Sequence, residues 1–191
     1  MANLISANLE GTLLNQAALT GAKLHSSRLR RATLDDADLS KVAARDVDFE
    51  GASLRGANLS GADLRGAVLL EADLRQADLR NSNLTDADLR GADLTGALLD
   101  GATLDGADLA RAQLGSGSAV GISARAARTQ NTTGDLVHVL QQAGAMSRPP
   151  LALGTATARL GLFMLASWAT LVEALRQAAI TVKPVLAALQ P

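Results

Sequence analysis

The sequence predicts a solenoid, in which short repeats stack around one apolar core and the backbone turns a corner inside each repeat. Three observations predict it. Leu recurs every five residues, at 21 of the 23 positions stepped by five from Leu4 to Leu114; Ala44 and Phe49 are the exceptions. Ala stands two residues before that centre in 18 of the 23 pentads, the others being Thr12, Ser27, Val42, Val47 and Ser82. Gly stands two residues after the centre ten times, and Asp or Asn one residue before it twelve times.

A period of five fits neither regular structure. On a helix five residues turn about 500°, so successive leucines spiral round the axis. On a flat strand an odd step sends them to alternate faces. They reach one interior only if each pentad contains a turn, and Gly, Asp and Asn tolerate turn conformations. The phase never slips between residues 2 and 116.

The phrase Ala-(Asp/Asn)-Leu-x-x, as in "GADLRGAVLLEADLRQADLR" (61–80), resembles the pentapeptide-repeat family. The resemblance implies a mainly β, right-handed quadrilateral β-helix with four pentads per coil. The central Leu and the Ala before it then point inward, and the other three positions face solvent. Twenty residues per coil predict about six coils over 1–116, a rod of roughly 28 Å at the spacing of paired strands. At the exceptions, the space left by Ala44 is expected to be filled by Phe49, Val42 and Val47.

The chain has 18 basic and 19 acidic residues among 191, so no general pull toward nucleic acid or anionic lipid is expected. It has no Cys and no Tyr. Its start lacks the basic and apolar regions of a secretory signal, so the cytoplasm is the default expectation. Asp and Arg flank several centres, as in Asp63/Arg65, Asp73/Arg75, Asp78/Arg80 and Asp88/Arg90, and are expected to pair within a coil or between coils. From Asp46 to Ser116 the net charge is −7, and Asp93, Asp100, Asp105 and Asp108 stand in a stretch with no basic residue. They are the candidate acidic docking face; the competing reading is a solvated surface whose Asp residues support turns.

A stacked coil has two open ends. Nothing precedes Ala2 as a cap, so contact with another chain is expected there. After Leu114 the Leu column stops, and 117–133, rich in Gly, Ser and Thr, reads as a linker. The tail, 134–191, reads as apolar helices. Leu136, Val137, Val139, Leu140 and Ala143 share one helical face, with Gly144 as the stop. A long helix pattern runs from Thr155 to Val182, and a short one from Val185 to Leu189. Leu160, Phe163, Met164, Trp168, Leu171, Val172 and Leu175 form the candidate oligomerisation or docking helix. The uncharged run Leu160–Val172 is shorter than the roughly 20 residues that span a bilayer, so burial on a protein surface is favoured over membrane contact.

No phosphate loop, catalytic triad or metal spacing appears. His25 and His138 are isolated, and Asp35 and Asp36 are neighbours that need not converge. No catalytic, cofactor or metal residues are expected. The favoured function is a non-enzymatic interaction or scaffold module that self-associates or docks through its tail, with no direct nucleic-acid binding. The alternative is implied by the resemblance, with the net −7 half and the candidate dimerising tail in its favour: the quinolone-resistance branch of that family mimics duplex DNA and occupies the DNA site of DNA gyrase. A DNA mimic needs unpaired negative charge.

Overall fold

The computed structural model describes residues 1–134 and 136–144, without the side chains of His138 and Gln142. Its backbone is a ladder of parallel bridges, each joining the residue before a centre to the one twenty positions later. The ladder runs from Asn3↔Lys23 to Gln113↔Thr133. A coil is therefore four pentads, and the solenoid has four sides. Centres 4, 24, 44 and onward lie on the first side, 9 and 29 on the second, 14 and 34 on the third, and 19 and 39 on the fourth.

The hydrogen bonds show why the pentad closes. Around Leu79, the Leu79 N–H donates to Leu98 O (2.8 Å) and the Asp78 N–H to Ala57 O (2.9 Å). Asn81 N–H donates to Asp100 O (2.9 Å), and Ser82 N–H closes the turn onto Leu79 O (3.1 Å). The fifth donor, Arg80 N–H, is taken by Asp78 Oδ1 (3.1 Å). Every N–H of the pentad is satisfied, as a buried wall requires. The turn needs positive φ two residues after the centre: Gly56 has +63° and Asn81 +56°. This is why Gly, Asn and Asp collect there.

Inside, the Leu columns are sealed. Leu24, Leu29, Leu34 and Leu39 are all fully buried, as are the central leucines through Leu114. Each such side chain contributes about 1.5–3 kcal/mol before conformational entropy is charged against it. Phe49, Ala44 and Val47 are completely buried and Val42 nearly so, all in the same cluster. The inward hydroxyls of Ser27 and Ser82 are satisfied by the carbonyl three residues before them, whereas that of Thr129 has no partner among the described residues. Ser27 Oγ donates to Leu24 O (2.8 Å) and Ser82 Oγ to Leu79 O (2.7 Å).

The stretch 117–133 is not a linker. Ser118, Ser123, Arg128 and Thr133 pair with Leu98, Thr103, Asp108 and Gln113, so the ladder completes a sixth coil and enters a seventh. The centres in this stretch are Ala119, Ala124 and Thr129, and the loss of Leu at those positions hid the repeat. The phase was still present in Gly121 and Asn131, which occupy the positive-φ corner.

The missing volume is supplied from outside. Helix α1, Val137–Gln142, follows the last coil. Leu136, just before it, and Leu140 join the core cluster at 8% and 1% exposure. Val137, Val139 and Ala143 pack against its margin, as the predicted face requires. Gly144 ends the helix at φ +102°, and its carbonyl accepts the Ala126 N–H (3.3 Å). The helix patterns predicted for Thr155–Val182 and Val185–Leu189 lie outside the described residues. Among the described residues no helix is long and apolar enough to cross a membrane.

Candidate interaction surface

The outward positions are those before the centre and the two after it. An Asp or Asn before the centre accepts the N–H two residues on, and an Arg at that second position closes a fork. Asp78 Oδ1 accepts Arg80 Nε (2.8 Å) while Oδ2 accepts its terminal nitrogen (2.5 Å). Asp88 and Arg90 repeat this geometry (2.7 and 2.5 Å), as do Asp63 and Arg65 (2.7 and 2.6 Å). Asp73 and Arg75 do the same. Pairs also cross between coils: Arg45 with Asp63 (3.0 Å), Arg75 with Asp93 (3.7 Å), Arg128 with Asp108 (3.5 Å), and Arg30 with Glu50. The expected Asp–Arg pairing, within and between coils, is what the geometry contains.

Asp73, Asp78 and Asp88 hold their carboxyl groups below the usual carboxylate range, chiefly through the hydrogen bonds from Arg75, Arg80 and Arg90. Partly exposed pairs of this kind are worth about 0–1 kcal/mol each. Their larger effect is to cancel charge along each side. On the second side Arg28, Arg30, Arg90 and Arg128 interleave with Asp48, Glu50, Asp88 and Asp108.

The candidate acidic face is not a face. Asp93 lies on the third side, Asp100 on the fourth, Asp105 on the first and Asp108 on the second, so the four ring the solenoid. Consecutive pentads occupy consecutive sides, so closeness in sequence disperses them. Each is also engaged. Asp93 accepts the Thr95 N–H (2.9 Å) and Asp108 the Ala110 N–H (3.0 Å). Asp100 accepts the Ser118 hydroxyl and the Val120 N–H, both at 2.6 Å. Asp105 accepts the Ser123 hydroxyl (2.6 Å) and the Arg125 N–H (2.8 Å). The Ser118 and Ser123 bonds lead the causes that lower the Asp100 and Asp105 pKa values. Half of what holds this ring comes from the coil that sequence reasoning read as a linker. The hydroxyl at the position before each centre, Ser118 and Ser123, was the available signal.

The other singled-out groups do not converge. His25 Nδ1 accepts the Arg45 N–H (3.3 Å), one more rung of the surface. Asp35 accepts the Arg55 N–H (3.2 Å), while Asp36 lies against Gly56. A shallow depression at one corner is lined by Asp86, Asp88, Arg90, Gly106, Asp108 and Arg128; Asp88 and Asp108 are paired there with Arg90 and Arg128. Among the described residues no cluster of His, Cys, Asp and Glu is arranged to hold a metal. Leu160, Phe163, Met164, Trp168, Leu171, Val172 and Leu175 lie outside the described residues, as does the side chain of His138.

A filled solenoid with a self-paired surface defines a class of repeat proteins whose exterior is available for contact and whose interior is packed. The pentapeptide-repeat model matches residues 2–41, 45–81 and 82–116 in eight copies, well over half of the chain. The chain belongs to the pentapeptide-repeat family. It is similar to a trypsin-treated form of QnrB1, a plasmid-mediated fluoroquinolone resistance protein. That match has 20% identity and a TM-score of 0.61, covering 76% of this chain and 77% of that one. It is also similar to HetL, involved in heterocyst differentiation regulation in the cyanobacterium Nostoc. The identity there is 30%, coverage is 75% and 71%, and the TM-score is 0.33. A third relative is Rfr23 from the cyanobacterium Cyanothece, at 26% identity, 70% and 91% coverage and a TM-score of 0.33. No curated protein sequence is similar enough to count as a match.

Proposed function

We propose that this chain is a non-enzymatic protein-interaction module: a rigid solenoid that oligomerises or docks through its C-terminal apolar segment. One observation carries the reading. The interior columns are fully buried leucine, and most carboxylates of the described exterior are bonded to arginines, hydroxyls and backbone N–H groups. Such a surface pairs much of its charge locally. Recognition then falls to the ends and to the tail carrying Leu160, Phe163, Trp168 and Leu171. The test is light scattering of the full chain against Trp168→Glu and against a chain ending at Gly144. The full chain is expected to be a defined oligomer and both variants smaller; equal masses would sink the reading.

The second reading, a DNA-mimicking inhibitor of gyrase, is favoured by the fold shared with QnrB1, a fluoroquinolone resistance protein. It ranks lower because a mimic of duplex DNA needs a continuous run of unpaired charge, and here Asp93, Asp100, Asp105 and Asp108 encircle the coil. A supercoiling assay decides it: no inhibition at micromolar protein is expected, and inhibition would reverse the ranking.

A further inference from the structure

We propose that the second coil, residues 22–41, carries a docking site for an acidic peptide segment of a partner protein, at Lys23 and Arg28 on its first and second sides. On the second side Asn8, Asp48, Asp88 and Asp108 each accept the N–H two positions on, from Glu10 (3.2 Å), Glu50 (3.1 Å), Arg90 (3.2 Å) and Ala110 (3.0 Å). On the first side Asn3 and Asn83 do so for Ile5 (3.4 Å) and Thr85 (3.1 Å). At the second coil the sequence puts cations in that place. Lys23 and Arg28 offer no side-chain acceptor, and the His25 and Arg30 N–H groups have no hydrogen-bond acceptor among the described residues. Each gap thus keeps the donor that a carboxylate fills elsewhere and has a cation where that carboxylate would stand. Val68 and Arg128 also occupy the place, but Val68 brings no charge and Arg128 is paired with Asp108 (3.5 Å).

The local charge favours an anion. Residues 22–31 hold Lys23, Arg28, Arg30 and Arg31 and no acid; Asp35, Asp36 and Asp38 of the same coil follow on the third and fourth sides. Lys23 and Arg28 are exposed and make no ion pair among the described residues, while Asp48 and Glu50 of the next coil are engaged by Arg30. His25 Nδ1 accepts the Arg45 N–H (3.3 Å), which leaves the ring proton on Nε2 as a further donor. Beyond residue 144 the chain has one acidic side chain, Glu173, so the tail cannot fill both gaps. A carboxylate fits them because Asp fills the equivalent place in other pentads, held by an N–H and a cation together. Duplex nucleic acid, with one charge per about 1.7 Å of axis, would run on along the second side over Asp48, Glu50, Asp88 and Asp108; a short acidic segment needs only the one coil. The site gives the interaction-module reading, on which it rests, a partner class, and it needs neither the tail nor self-association.

The test is fluorescence anisotropy with the full chain and a labelled peptide of alternating Asp and Gly, against its Asn counterpart and a single-stranded DNA oligomer of equal charge. Lys23→Asp with Arg28→Asp returns the capping carboxylate to both pentads, so the fold is kept while the gaps are filled. Arg111→Asp with Arg125→Asp, at exposed cations of the sixth and seventh coils, makes the same change in net charge elsewhere. The wild-type chain is expected to bind the Asp peptide saturably and the Asn peptide not at all. The first double variant is expected to bind at least about tenfold more weakly, with an unchanged circular dichroism spectrum and a melting temperature no lower, and the control to stay within about twofold of wild type. Lys23→Asn with Arg28→Asn, a neutral cap as at Asn8, is expected to fall between. No saturable binding to wild type, equal binding of the Asn peptide, the same loss in the control, or tighter binding of the DNA than of the Asp peptide overturns the proposal. Trp168→Glu is expected to keep the wild-type peptide affinity, so failure of tail association is read in the mass and failure of this site in the anisotropy.

Discussion

At the scale of single residues, two chemistries set the pentad: an apolar centre and a short acceptor before it. Asp or Asn is the residue whose side chain reaches the N–H two positions on, as Asp78 does for Arg80 and Asn83 for Thr85 (3.1 Å). The acidic residues are therefore parts of turns before they are parts of a surface field. This gives the protein a pH dependence of defined sign. Asp38, Asp73, Asp78, Asp88, Asp100 and Asp105 have folded pKa values below the usual one. In acid the unfolded chain therefore binds more protons than the folded one. The stabilisation is complete above the ordinary carboxylate pKa of about 4 and is lost as pH falls through the lowered folded values. The urea midpoint is expected to hold near neutrality and to fall between pH 5 and pH 2 (limits set roughly by that pKa); a flat profile contradicts the assignment. The core makes a second residue-scale prediction. Ala44→Leu alone overfills the site and costs about 1–3 kcal/mol. Combined with Phe49→Leu it is expected to recover much of that loss, in a double-mutant cycle read by urea denaturation. Strict additivity would show that the two sites do not share space.

At the scale of the coil, the corners carry information beyond the pentad. From Arg31 to Gly106 the positive-φ corners alternate by whole coils. Arg31, Asp36, Lys41 and Asp46 are followed twenty residues later by Gly51, Gly56, Gly61 and Gly66. Glu71, Gln76, Asn81 and Asp86 are then followed by Gly91, Gly96, Gly101 and Gly106. At Gly56, Gly66, Gly101 and Gly106 the reason is steric; at Gly51 and Gly61 an added Cβ would meet only ordinary contacts. A Cβ on Gly56 would collide with the Asp36 carboxylate, and one on Gly106 with that of Asp86. Over this span the corners repeat every two coils. Deleting residues 51–90 restores Gly91 over Arg31 and Gly106 over Asp46. Deleting only 51–70 stacks Glu71 on Arg31 and Asp86 on Asp46. The smaller deletion is expected to have the lower melting temperature although it keeps one more coil; the reverse order refutes the steric rule. Helix α1 makes a separate prediction. Leu140→Ala is expected to cost about 2–5 kcal/mol locally. Hydrogen exchange should then quicken at 119–133 before the earlier coils, because each coil of a solenoid depends on its neighbours. Uniform exchange along the ladder would mean that α1 is no cap.

At the scale of the whole molecule, the boundary of the solenoid decides what can be cut. A chain ending at residue 116 loses the pairing partners of Leu98, Thr103, Asp108 and Gln113 together with the cap. Ending at Gly144 keeps both. The shorter form is expected to aggregate and the longer to stay dispersed with a cooperative melt, both read by light scattering. The sequence by itself determined the coil, because period, inward Leu and Ala, and turn residues are local requirements repeated in phase from Ala2 to Ser116. It also contained the Asp–Arg forks, which join residues two apart. Only the tertiary structure decided where the solenoid stops, because the centres Ala119, Ala124 and Thr129 become core only when Leu136 and Leu140 fold back on them. It alone dispersed Asp93, Asp100, Asp105 and Asp108, because four pentads close one turn and neighbours in sequence end up on different sides.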